Sequence, residues 1–176
     1  ATVADLVGTP LNKIPGETTD ATTALRLNQF DYLLAYYGWD YIHSKIKGVD
    51  MNFFYLRDYN PAFNYYTPVL IANDNQLKNN PERYKKALTA IQEGYVYAAK
   101  NPEAAADILL KHAPETNKEL VQESQKYLST LYLDDKGDWG KFDYNRWDNF
   151  YRWVYEQQLV DKPFAPQAGV SNDYLP

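Results

Sequence analysis

The chain has 176 residues, 45% of them hydrophobic and 23% charged, with a formal net charge of −5. That balance suits one soluble domain or two small lobes, and it lacks the Lys/Arg excess that nucleic acid or an anionic membrane surface requires. Cysteine is absent, which removes disulfides, zinc-thiolate and iron–sulfur ligation and a thiol nucleophile together. Residues 2–9 (TVADLVGT) read as a short strand ended by Pro10. Thr18, Thr19 and Asp20 offer cap oxygens for a short helix reaching Leu27 or Gln29. The apolar run over 32–37 (YLLAYY) reads as a strand covered on both faces. A helix over 39–47 follows and stops at Gly48. MNFFYLRDY over 51–59 reads as a further strand, and Pro68 opens another at Val69–Ala72, where no ladder donor is needed. Strand, helix, strand, helix, strand in this order predicts a parallel α/β sheet.

Beyond residue 73 the pattern becomes helical. Asn80-Pro81-Glu82 supplies a cap, a proline at the first helical position and an acid in the first turn, and Asn101-Pro102-Glu103 repeats the device. Thr116 and Glu119 have the spacing of a capping box. Tyr84, Leu88, Ile91, Tyr95 and Ala98 form one helical stripe; Trp147, Phe150, Tyr151 and Val154 form another. The end, DKPFAPQAGVSNDYLP, is Pro-rich and is expected to wrap the surface. No internal repeat and no membrane-spanning run is visible. The chain starts without Met, and is expected to be a mature form or a fragment.

Chemistry is sparse. His43 and His112 are the two histidines, and neither has metal or triad spacing. No phosphate loop, nucleophile elbow or zinc-protease motif occurs, and nothing selects a carboxylate pair. No catalytic residue, metal ligand or cofactor is therefore predicted. The unusual feature is aromatic content: 17 Tyr and 4 Trp bring aromatics to 16%. Aromatic side chains with polar tips suit cores, and they also suit pockets for flat ligands. Tyr36, Trp39 and Asp40 stand at the carboxyl end of the second predicted strand, where open α/β sheets bind ligands. Residue types leave two readings there. Trp39 fills the core and Asp40 caps the helix; or an indole plate and a carboxylate face a solute with an amino group. Tyr65 and Tyr66 precede the Val69–Ala72 strand and form a second aromatic group. Trp139 reads as a loop plug between helices, and Trp147 and Trp153 as helical core.

Three stretches together resemble a known family: FDYLLAYYGWDYI with KGVDMNFFYLRDY, then YYTPVLIANDNQLKNNPERYKKALTAIQEGYVYAAKNPEAAADILLKHAPE, then WGKFDYNRWDNFYRWVYEQQLV. They are similar to the later part of ABC-importer solute-binding proteins, in the NMT1/THI5-like group. GYVYAAKNPEAAADILLK is the most specific segment, and YYGWD is what points to the branch that binds thiamine pyrimidine precursors. The resemblance implies an α/β fold of the periplasmic-binding-protein type II class, present here incompletely. Residues 1–64 would be a second-lobe α/β segment; residues 65–176 would be a crossing strand and the helical C-terminal part of the first lobe. It implies a non-catalytic receptor outside the cytoplasm, periplasmic or anchored at the cell surface as a lipoprotein, with an ABC permease as partner. In such binders aromatics stack the ring and an acid holds its amino group. The matching positions are Tyr36, Trp39 and Asp40, with Tyr65 or Tyr66 on the hinge side. Asp40 stands where relatives often carry Glu.

A crossing strand without its sheet would expose an edge and an apolar face, so a dimer or strand exchange is expected if the chain is truncated. Three rival functions remain. A binder of a sulfonate or other small organic solute would call for a cleft base such as Arg57. A helical protein-interaction module over 81–159 would carry an exposed apolar stripe. A pyrimidine synthase of the kind that resembles these receptors relies on an active-site His and a Cys-rich iron motif, and this chain has no Cys.

Overall fold

The computed structural model describes residues 3–4, 8–12 and 21–176. Helix α1 spans Ala21–Arg26, and a π-helical turn, Tyr37–Tyr41, leads directly into α2, Ile42–Ile46. Helix α3 is the single turn Leu56–Tyr59, followed by a 3-10 turn, Pro61–Phe63. Then come α4 (Asp74–Asn79), α5 (Pro81–Lys100), α6 (Pro102–His112), α7 (Lys118–Leu128) and α8 (Tyr144–Glu156). Over their described residues, one compact unit comprises Ile14–Phe53 with Ile91–Trp139, and the other Ala1–Lys13, Phe54–Ala90 and Gly140–Pro176.

In the first unit α6 packs on α7, and α2 with its preceding turn packs on α7 as well. Ala106 of α6 and Leu120, Val121 and Ser124 of α7 are buried at the seam. The alanine lets the two backbones approach, and each fully buried Leu or Val contributes about 1.5–3 kcal/mol. Ser44 of α2 is also buried, and its hydroxyl is satisfied by donating to Tyr41 O at 2.8 Å. Tyr37 is the hub of an aromatic cluster, with ring centroids 4.7 Å from Tyr41, 4.7 Å from Tyr127 and 5.0 Å from Phe53. A second cluster stacks Trp139 on Tyr95 at 5.3 Å, with the Tyr132 ring edge-on to Tyr95 at 5.0 Å. The loop tryptophan is thus laid against the face of α5.

The second unit is organised by α8. Asp143 caps it, its carboxylate accepting the Asn145 amide at 2.9 Å. The helix's aromatic stripe meets the 3-10 turn and the tail: Trp153 faces Phe63 at 4.8 Å, and Tyr151 faces Phe164 at 4.9 Å. The tail wraps this helix as the Pro-rich sequence suggests. The Trp147 indole N–H donates to Ala168 O at 3.0 Å, and the Asn172 side chain pairs twice with the Phe142 backbone. None of this unit's described residues is fully buried, so half-covered rings rather than a dry aliphatic core hold it.

Several expectations are corrected. No strand forms among the described residues. Residues 3–4 of the first expected strand are helical, and 51–59 divides into an irregular stretch and α3. Residues 32–36 and 69–72 are irregular, with no ladder partner among the described residues. Leu34 is 74% exposed and Ile71 91%. An apolar run becomes a strand only when neighbours take its amides and cover its faces, and among the described residues these runs stay largely uncovered. The parallel sheet expected from strand order is accordingly absent among the described residues. Thr18–Asp20, the expected cap of α1, lie outside the described residues. Helix α4 begins the helical stretch expected beyond residue 73, and Asn73 starts it by accepting the Asn75 and Gln76 amides at 3.0 and 3.2 Å. Asn117, rather than the Thr116/Glu119 box, caps α7, accepting the Leu120 amide at 2.9 Å. Asparagine and threonine both cap, and asparagine ranks higher.

Candidate functional site

The YYGWD corner is a reciprocal clasp. Tyr36 O accepts the amides of Trp39 at 3.1 Å and Asp40 at 2.8 Å, while the Asp40 carboxylate accepts the Tyr36 amide at 2.8 Å. The carboxylate thereby takes up a backbone donor at the mouth of the turn. The Ile42 amide, which closes the turn, donates to both Trp39 O and Tyr37 O, and the five-residue reach to Tyr37 gives the wider π-helical winding. Such single π-turns occur often at functional sites, because the extra residue redirects side chains. Here it turns Tyr37 into the aromatic cluster and buries Gly38. Trp39 keeps 41% of its surface exposed and Tyr36 63%; Asp40 is half-buried.

Both sequence readings of this corner therefore have a geometric counterpart. The carboxylate does hold the turn, and the indole is not sealed in the core. What the corner offers chemically is a flat apolar plate next to a carboxylate oxygen pair, of which one oxygen already accepts a main-chain amide. Such a surface takes a planar ring carrying N–H donors.

Tyr65 and Tyr66 belong to the other unit. The Tyr65 ring stacks on Phe150 of α8 at 4.5 Å and 14°. The Tyr66 hydroxyl accepts the Asp143 amide at 2.8 Å, and its ring meets Phe142 edge-on at 4.9 Å. Sequence reasoning missed the residue that organises both. The Arg146 guanidinium lies 4.1 Å from the Tyr66 ring centroid, and donates to Asn64 O at 2.7 Å and Tyr65 O at 3.3 Å. One planar fork so ties α8 to the backbone of the tyrosine pair. Arg57, the candidate cleft base, lies 4.2 Å over the Tyr55 ring centroid.

A cavity of about 230 Å³ lies between α8 and residues 163–166, with Trp147, Tyr151, Arg152 and Phe164 in its walls. It includes none of the five predicted site residues. No group of three or more His, Asp or Glu among the described residues could hold a metal ion. No described helix is long and apolar enough to cross a membrane. The Tyr132 phenol is half-buried. Burial raises its pKa above the ordinary tyrosine value, Tyr95 raises it further, and the hydrogen bond to Gln125 Oε1 opposes them.

Comparison with known proteins gives these features a context. The family model described as "NMT1/THI5 like" matches residues 9–105, more than half of the chain. The chain is also similar to the formylaminopyrimidine-binding protein of Halalkalibacterium halodurans, with 25% identity over 141 residues. That match covers 78% of this chain and 42% of the relative, so the chain spans less than half the relative's length. The chain belongs to the NMT1/THI5 like family, whose fold is of the periplasmic-binding-protein type.

Proposed function

We propose that this chain is part of a non-catalytic solute receptor that captures an aminopyrimidine-like ring and hands it to an ABC permease outside the cytoplasm. The observation that carries the reading is its similarity, over 78% of its length, to a protein named for formylaminopyrimidine binding. The half-exposed Trp39 supports it by supplying a stacking plate, with Tyr36 beside it. Asp40 supplies an acceptor for the ring's amino group. Tyr65 and Tyr66 enter this reading as ligand-contacting residues through the family resemblance alone. In this reading residues 1–64 contribute to one lobe, and residues 65–176 connect to and complete the helical part of the other. Affinity comes chiefly from burying the ring between aromatic faces.

The test is calorimetric titration of the purified protein with a formylaminopyrimidine, and separately with an alkyl sulfonate of similar size. Saturable binding of the pyrimidine alone supports the reading. Binding of the sulfonate alone moves the assignment to an anion receptor, and no heat with either removes the receptor function from this chain.

A further inference from the structure

We infer that Gly38 and Leu128 are an interlocked pair that sets how Trp39 and Asp40 are presented, which makes Gly38 a positioning residue of the binding corner. The inference rests on the receptor reading above. Gly38 is buried, and its backbone lies against Tyr127 and Leu128 in the last turn of α7. A Cβ placed on it would meet Leu128 Cδ2 at 2.9 Å, Tyr127 Cδ1 at 3.2 Å and Leu128 Cγ at 3.3 Å. Turning the leucine tip would relieve the first contact and leave the other two. The Tyr127 ring is not free to retreat, because it packs against Tyr37 at 4.7 Å. Behind both, α7 is anchored by buried Leu120, Val121 and Ser124. A side chain at position 38 is therefore accommodated by the turn and not by the helix.

The neighbours of Gly38 make that displacement functional. Tyr37 precedes it, locked in the aromatic cluster; Trp39 and Asp40 follow it, carrying the plate and the acceptor. The clasp between Tyr36 and Asp40 closes around the same turn, with amide–carboxylate and amide–carbonyl bonds of 2.8 Å. Lifting position 38 off α7 shifts the indole and carboxylate together, while leaving their chemistry intact. A turn free of Cβ at this one point is what lets the backbone seat on Leu128 with Trp39 still turned outward.

The experiment compares Gly38→Ala, Leu128→Ala and the double variant in the full chain, using a formylaminopyrimidine as probe. Affinity is measured well below each variant's melting temperature. A residue that only stabilises the fold would lower melting while leaving the affinity of the folded protein unchanged. We expect Gly38→Ala to bind about tenfold more weakly, and Leu128→Ala, which vacates the space, to restore binding in the double variant to within about threefold of the parent. If Gly38→Ala does not fold, the comparison moves into the Leu128→Ala background. There Ala at position 38 should bind and Phe, whose side chain far exceeds the vacated leucine tip, should not; equal affinities overturn the inference. Trp39→Ala serves as the separate control. Loss of binding in Trp39→Ala with wild-type affinity in Gly38→Ala refutes the positioning role alone, whereas unchanged binding in Trp39→Ala refutes the site itself.

Discussion

Trp39→Ala tests the binding corner directly, and its size follows from the structure. The indole keeps 41% of its surface exposed. A tryptophan presents on the order of 250 Å², so roughly 100 Å² is left for a ligand to cover. Complete cover at about 25 cal/mol per Å² is worth about 2.5 kcal/mol, roughly seventyfold in Kd. A flat ring lying on one face covers nearer half of that area, which sets a floor of about tenfold. Trp39→Ala should therefore weaken a formylaminopyrimidine between these limits, and Trp39→Phe, with a smaller plate, should fall between alanine and the parent. Isothermal calorimetry reads both, and a less negative heat-capacity change should accompany the loss, since less apolar surface is covered. An affinity unchanged by Trp39→Ala, in a protein that binds the pyrimidine, would refute the stacking argument.

Three further outcomes follow from other parts of the molecule. Arg146→Ala removes two main-chain hydrogen bonds and a guanidinium–ring contact at the tyrosine pair, and should cost about 2 kcal/mol in urea unfolding; Arg146→Lys should recover less than half, because an ammonium cannot span both carbonyls in one plane. Asn117→Ala removes the cap of α7 and should cost about 1 kcal/mol, read as a lower denaturation midpoint with an unchanged slope. Tyr132 has a folded pKa above its unfolded value of 10.0, so the stability it contributes is complete below that pH and is lost as pH rises through the higher folded value. Tyr132→Phe should flatten the alkaline fall in melting temperature relative to the parent, and an identical alkaline profile would count against the assignment.

How much the sequence revealed depended on how local each signal was. Although the expected Asn101 side-chain cap does not form and its side-chain amide donates back to Tyr97 O at 3.0 Å, the starts of α5 and α6 were legible because Pro81 and Pro102 fix φ at the first helical position. The stop at Gly48 was legible for the same reason, since its φ of +66° suits glycine. The runs 32–37 and 69–72 were misread because an apolar composition states what a strand would need without supplying the neighbours that make one. The helical character beyond residue 73 was legible, but the start of α4 was not: a lone Asn73 among polar residues looks like loop until its side chain is seen to cap. At the candidate site, Trp39 and Asp40 were visible as residue types, but the π-turn that separates Tyr37 from Trp39 was not. Arg146 and Leu128 act on residues far from them in the chain, so no window of sequence could link them to Tyr65, Tyr66 or Gly38.

The bare run Val69-Leu70-Ile71 has a practical meaning for anyone handling this protein. Water must wet three greasy side chains in a row, the last of them 91% uncovered, and mutual repulsion from five surplus negative charges opposes contact between molecules there. Acidification that titrates those carboxylates, or sulfate that tightens apolar contacts, removes the barrier and leaves the adhesive. Turbidity on mild souring of a concentrated stock is the expected colloidal signature of an intact, folded chain, and it need not mean denaturation.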